Sequence, residues 1–274
     1  MTLKVKGFMT NLTPSATCTN LLTRRGSTYS ETWSSIGVQF SGDGNGGVNL
    51  LAPTEAAGVI VQTNWNVINI QGGGGSVAID RGTYGNLQDN AGHTTAVQLQ
   101  HIGDDAWNTG GSTATPNGKL MQGILKQDTA GSATMTLTFS NLSAGSYDEY
   151  VYGNVDGGPT TLSANIGAVT YYWIEPATFN GTFTRAASTN PGSPAAGNYV
   201  RFRGISPVNG AIRISATYRS GGGGSGGAEF GIAALQLVSV ATITTQPIPS
   251  LLYAGRTATF AAVATTGLPP ISYQ

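Results

Sequence analysis

Aromatic side chains flanked by amides and carboxylates are the residues of this chain best suited to chemistry at a surface. A flat indole or phenol can lie against the apolar C–H face of a pyranose. Neighbouring Asn, Asp, Gln or Arg groups then hold the hydroxyls, in a pre-formed site of mixed character. The 274 residues include four Trp and eleven Tyr. Trp107 follows Asp104-Asp105 and precedes Asn108, while Trp65 stands between Asn64 and Asn66. Tyr150 and Tyr152 share one face of a predicted strand beside Asp148, and Tyr171-Tyr172-Trp173 is the densest aromatic cluster. The predicted carbohydrate-binding residues are therefore Trp107, Asn108, Asp105, Trp65, Asn64, Tyr150, Tyr152 and Tyr172, with Trp107 favoured as an exposed platform. Against this stands the ordinary fate of Trp and Tyr, which is burial with the polar tip satisfied. For Trp65 the two roles weigh equally.

Catalysis has less to work with. His93 and His101 lie eight residues apart, roughly 26 Å along a strand at ~3.3 Å per residue. They cannot share a metal unless the chain folds back, and each reads as a surface or turn residue. No His-x-x-x-His or Cys-x-x-Cys pattern occurs, and the one Gly-x-Ser-x-Gly match, Gly223 to Gly227, falls in an oligoglycine stretch with no helix after it, so zinc and serine-hydrolase chemistry lack support. A glycosidase needs two carboxyl groups about 5–10 Å apart. Asp43, Glu55, Asp104, Asp105, Asp148, Glu149 and Glu229 are available, but no spacing singles out a pair. Asp148 and Glu149 must point to opposite faces of one strand. No catalytic residue is predicted, and a polysaccharide-active hydrolase or lyase stands as the alternative. Asp43-Gly-Asn-Gly is similar to part of a calcium loop without its later acidic ligands. Structural calcium is thus the one cofactor considered, against the simpler reading of a Gly/Asn turn. Arg201, Arg203, Arg213 and Arg219 alternate on polar strand faces. A solvated face explains them most simply; were the strands neighbours, they would make a basic stripe suited to acidic glycans.

The elements that must position these residues are strands. Glycine supplies 40 residues, charged residues are only 9%, and thirteen basic side chains balance thirteen acidic ones. A nucleic-acid binder would carry a basic excess, and a disordered chain would pair low hydrophobicity with net charge. The balance of Gly, Ser, Thr, Asn, Val and Tyr suits short strands joined by turns. Thr134 to Phe139 alternates strictly, with Met135, Leu137 and Phe139 on one face. Tyr147 to Tyr152 reads as the next strand. Val200 and Phe202 alternate with Arg201 and Arg203; Ile212, Ile214 and Ala216 with Arg213, Ser215 and Thr217; and Ala233, Leu235 and Leu237 flank Gln236. Asn180-Gly181 is a type I′ hairpin signal. The single helical turn expected follows Pro53, with Thr54 as its cap and Gly58 limiting it. Gly72–Gly75 and the Gly221–Gly227 stretch have neither the Lys-Ser/Thr nor the following helix of a phosphate cradle and read as flexible loops.

Three zones follow: residues 1–34, Thr/Ser-rich and basic, read as a leader or the remnant of a preceding segment; residues 35–240, the β-sandwich; and residues 241–274, with four prolines and no acid. Cys18 is the single cysteine, which excludes an intramolecular disulfide. No apolar run reaches about 18 residues, so no membrane insertion is expected. No signal peptide is recognisable, yet the low charge and Thr/Ser/Asn/Gly richness point to an extracellular or cell-surface setting.

Two segments resemble known families. Ile243-Thr-Thr-Gln-Pro247, Gly255-Arg-Thr-Ala-Thr-Phe260 and Pro269-Pro-Ile-Ser-Tyr-Gln274 resemble the opening strands of a bacterial Ig-like domain. This implies a truncated domain and neighbouring domains in a longer chain. The middle zone resembles a galactose-binding-like β-sandwich of large secreted planctomycete- and verrucomicrobia-type bacterial proteins. The resemblance rests on Ile36-Gly-Val-Gln-Phe40, Ala56-Ala-Gly-Val59, Asn64-Trp-Asn66 and Leu142-Ser-Ala-Gly-Ser-Tyr-Asp-Glu-Tyr-Val-Tyr152. It rests also on Gly197-Asn-Tyr-Val-Arg-Phe-Arg-Gly204 and Gly231-Ile-Ala-Ala-Leu-Gln-Leu-Val238. It implies an all-β, jelly-roll-like sandwich followed by a partial Ig-like segment. The function it implies is that of a non-catalytic module binding a polysaccharide or glycan, with no nucleic-acid partner. A structural, adhesive or filament-forming β-domain is a third reading. Glu149 departs from the pattern: on the Tyr147/Val151 face an acid needs a partner, or that face is not core.

Overall fold

The computed structural model describes residues 2–3, 34–42, 50–70, 80–103, 105–127, 134–156, 158–175, 177–221, 229–240, 242–245, 260–261 and 263–265. In chain order these form β1 (Thr2–Leu3), β2 (Ser35–Ser41), β3 (Asn66–Asn69), β4 (Asp80–Tyr84), β5 (Gln98–Gly103), β6 (Asp105–Asn108), the helix α1 (Pro116–Gln122) and β7 (Gly123–Gln127). They continue with β8 (Met135–Ser140), β9 (Ser146–Asp156), β10 (Thr160–Ile166), β11 (Val169–Glu175), β12 (Ala195–Ala196) and β13 (Tyr199–Ile205). The last are β14 (Ile212–Gly221), β15 (Glu229–Val240), β16 (Thr242–Thr245), β17 (Phe260–Ala261) and β18 (Val263–Thr265). Cys18, the calcium-like Asp43 loop, Gly72–Gly75 and most of the second oligoglycine stretch lie outside the described residues, as do most of 1–34 and 241–274. Of the two end zones, short pairings are described: β1 with β17 and β16 with β18.

The architecture is an all-β sandwich. One sheet runs β12-β11-β10-β14-β8-β5-β4; the other runs β13-β9-β15-β2-β3, with β7 also on β15 and β6 on β7. Both are mixed, because β2 pairs β3 and β11 pairs β12 in parallel. The alternating sequences do what their period dictates. Met135, Leu137 and Phe139 from β8 and Ile212, Ile214 and Ala216 from β14 point inward, where they meet Val151, Val200, Leu235 and Leu237 of the facing sheet. Outward residues of the first sheet, such as Gln100, Arg213 and Arg219, are exposed.

The second sheet differs, since its outer face is covered as well. Leu51, Ala57 and Trp65 of the β2–β3 connection, Leu120 and Met121 of α1, and Phe179 pack over Tyr150, Tyr152 and Val238. β9 is consequently buried along nearly its whole length. A polar chain ties down this cover. The Tyr152 hydroxyl donates to Gln236 Oε1 (2.8 Å) and accepts from Val59 N (2.9 Å). Gln236 Nε2 donates to Gln62 Oε1 (2.8 Å), which also accepts from Ser35 Oγ (2.7 Å).

Two local expectations are corrected. The segment after Pro53 does not form a helical turn. Gly58 takes φ +96 and Ala57 bridges Gln62, because the segment must bend to carry Trp65 back over the sheet. The helix lies at Pro116–Gln122 instead. Thr115 caps it by accepting from Gly118 N (3.1 Å), and Pro116 occupies its first turn. Asn180-Gly181 is not a hairpin: its residues lie outside any strand and only Gly181 has positive φ. The two-residue type I′ link is Asn209-Gly210 (φ 52 and 73), closed by paired bonds between Val208 and Ala211.

Candidate functional site

The eight predicted binding residues do not converge. Trp65 is 5% exposed, and its Nε1 donates to Gln62 O (3.1 Å). Tyr152 is fully buried in the polar chain just described. Neither can serve as a platform, because the 50–65 segment that makes the outer layer seals them. Asn64 adopts φ 54 and donates to Asn90 O (3.0 Å), which makes it a turn residue. Asn108 is buried at the end of β6; its Oδ1 accepts from Gly42 N (3.1 Å) and its Nδ2 donates to Gly42 O (2.6 Å). Trp107 is half-buried. Its Nε1 donates to Asp156 Oδ2 (2.8 Å), and Lys126 Nζ sits 5.1 Å from the ring centre. Asp105 lies in β6, with its side chain outside the described residues. Tyr172 is on the other sheet, with the Arg219 guanidinium 5.4 Å from its ring.

Tyr150 is buried too, at 3% exposed, and is no platform either, but it lines a cleft of about 600 Å³ on the outer face of the second sheet. β9 supplies Asp148 and Tyr150, β13 supplies Arg201, Arg203 and Gly204, β15 supplies Val238 and Val240, and the β2–β3 connection supplies Ile60. The register explains the grouping. Arg201 pairs with Tyr150 and Val238 pairs with Asp148, so alternation sends all four side chains outward together.

The polar centre is an ion pair. Arg201 Nε donates to Asp148 Oδ2 (3.1 Å), and Arg201 Nη2 makes a still closer contact with the same oxygen. Asp148 Oδ1 accepts from Gly204 N (2.8 Å). That last bond depends on a bulge in β13: the register shifts between Phe202 and Ile205, and Gly204 takes φ +64. Both oxygens of Asp148 are therefore engaged. Burial acts to lower the Arg201 pKa, but the hydrogen bond and charge of Asp148 outweigh it and raise the value. The Arg201 guanidinium lies 5.3 Å from the Tyr150 ring centre, and Tyr199 stacks at 6.3 Å. Burial raises the Tyr150 pKa, so its hydroxyl stays protonated and can donate. The cleft thus offers a guanidinium, a phenol and an apolar floor. Asp148 is its only carboxylate among the described residues.

The other acids sit elsewhere. Glu55 bonds Lys119 Nζ (2.6 Å), which lowers its pKa. Glu149 lies on the opposite face of β9 from Asp148, in the sandwich interior, fully buried. Neither of its oxygens has a hydrogen-bond partner, and burial pushes its pKa well up. Glu175, which the sequence did not single out, is also interior and pushed up to about 9 by burial. His101 is not a surface residue: it is 1% exposed and stacks on Tyr84 at 5.7 Å, whereas His93 is exposed and contacts Asp89. No group of His, Cys, Asp or Glu suited to a metal occurs among the described residues. No helix among them is long and apolar enough to cross a membrane. Arg201 and Arg203 belong to one sheet and Arg213 and Arg219 to the other, so the four do not make one stripe. The sequence offered Arg201 and Arg203 as a solvated face or, with Arg213 and Arg219, as a basic stripe; the signal for the site was their alternation opposite Asp148 and Tyr150 in the paired strand. No protein-family model matches the chain, and no curated protein matches it.

Proposed function

We propose that this β-sandwich is a non-catalytic carbohydrate-binding module, and that the Tyr150–Arg201 cleft is its ligand site. One observation carries the reading. A pre-formed pocket of about 600 Å³ combines an apolar floor with a guanidinium already oriented by a buried carboxylate, the mixture expected of a polar-ligand site. Arg201 spends Nε and Nη2 on Asp148 and keeps its remaining guanidinium N–H groups for a hydroxyl or an anionic substituent. The likeness of the middle zone to galactose-binding-like modules supports the same reading, together with an extracellular setting.

Pull-down on a broad panel of soluble and insoluble polysaccharides tests it. Retention on at least one polysaccharide is expected. Val240→Trp, which fills the cleft from its rim, should abolish retention with the melting temperature unchanged. No retention anywhere on the panel, or retention indifferent to Val240→Trp, overturns the proposal.

A further inference from the structure

A second cleft of about 600 Å³ opens where the edge strand β13 faces the β10–β11 hairpin and the start of β14. Tyr171 and Phe202 meet edge to face at its base, with ring centres 4.9 Å apart. Val169 (44% exposed) and Val208 (74%) are large apolar side chains left open along it. Arg213, exposed on the opposite sheet, also lines it. Two residues, Arg203 and Gly204, line this cleft and the Tyr150 cleft alike. The two depressions are therefore neighbours across one ridge, and that ridge is the β13 bulge. The pairing of β13 with β9 shifts register there, where Gly204 takes a positive φ, and Arg203 is exposed at the divide.

We infer that the two clefts act as one groove for an acidic oligosaccharide, whose carboxylate or sulfate group is held by Arg203 on the shared ridge. The inference rests on the carbohydrate reading of the first cleft and names its ligand class. Each cleft alone is the size of a small-molecule site, so a ligand that reaches Arg203 from either side is led into the other. Net positive charge comes from Arg203 on the ridge and Arg213 in the second cleft, while Arg201 in the first is paired with Asp148. Among the described residues the single lining carboxylate is Asp148, which Arg201 neutralises. An anionic ligand meets no uncompensated negative charge, and the apolar walls suit the C–H faces of its sugar rings. Arg is the better cation for this purpose, because its planar fork matches carboxylate and sulfate geometry.

Titration calorimetry with oligogalacturonates tests the inference, using the dimer, the hexamer and the methyl-esterified hexamer, with a sulfated galactan hexamer beside them. The acidic hexamer should bind roughly tenfold tighter than its ester, the scale of one charge-assisted hydrogen bond. It should also outbind the dimer, and raised salt should weaken it. Arg203→Gln should remove the preference for acid over ester. Val208→Glu should weaken the hexamer and leave the dimer unchanged. The uronate and sulfated arms decide which anion is preferred; either preference supports the inference. If acid and ester bind alike while Val240→Trp still abolishes binding, the carbohydrate reading stands and the acidic groove is overturned. If Arg203→Gln leaves the acid preference intact, the role of the ridge is overturned. If no sugar binds, both fall.

Discussion

Glu149 and Glu175 illustrate how one side chain can set a measurable property of the molecule. Both are carboxyl groups in the sandwich interior, and at least one oxygen of each has no hydrogen-bond partner. Burial favours their protonated forms, holding Glu175 near 9 and Glu149 well above the ordinary 4.5. Above that ordinary value the unfolded carboxyl loses its proton while the folded one keeps it. The unfolded state therefore gains as pH rises. The stability present below 4.5 is lost progressively up to about 9 for Glu175, at about 1.4 kcal/mol per pH unit and group at most. Melting temperatures should accordingly fall between about pH 5 and about pH 9. The fall should be shallower in Glu175→Gln and shallower again in the Glu149→Gln/Glu175→Gln double variant. An equal slope in all three proteins contradicts the burial argument. That Glu149 is anomalous on the Tyr147/Val151 face is legible in the sequence, from alternation together with the pattern of the family the middle zone resembles. Its lack of a partner is not, because partners come from other strands.

At the scale of elements, legibility followed solvent. Strands with one wet face, β8 and β14, announced themselves by period two. β9 and β15 are covered on both faces, so alternation there separates two buried layers rather than inside from outside. That is why Tyr150 and Tyr152 read as a surface pair, yet both are buried, Tyr152 wholly and Tyr150 in the wall of the cleft. The cover itself depends on a close approach. A Cβ on Gly37 of β2 would lie 2.5 Å from Trp65 Cε3 and 2.5 Å from Gln62 Nε2. Gly37→Ala should therefore push Trp65 off the sheet and destabilise the protein by about 1–3 kcal/mol. A lower urea midpoint together with a red-shifted tryptophan emission would show this. A lower midpoint with unshifted emission would place the strain elsewhere. The helix α1 escaped notice because it is only seven residues long, too short to show a hydrophobic period, although Thr115-Pro116 is a start signal.

At the scale of the whole molecule, β15 is the central member of its sheet. It pairs β9 along one side and both β2 and β7 along the other. The strand nearest the beginning of the sandwich, β2, is thus held by the last. A chain ending before Glu229 loses the partner of three strands at once and should show no cooperative thermal unfolding transition. A cooperative melt in such a truncated chain would mean that the first sheet folds without the second. The candidate groove has the same origin. It joins side chains of β9, β13 and β15 in one sheet to β10, β11 and β14 in the other.

By itself the sequence determined the fold class and the inward faces of its wet-sided strands, because hydrophobic period is a local property that one strand expresses alone. It also identified Tyr150, Arg201 and Arg203 as side chains on outward faces. Only the tertiary structure decided which of these meet. Strand order brings Arg201 against Tyr150 and Asp148. The outer layer removes Trp65 and Tyr152 from the surface, and a one-residue bulge sets Arg203 between two clefts. Pairing partners, covering layers and bulges depend on residues far apart in the chain, and no periodicity within a single strand encodes them.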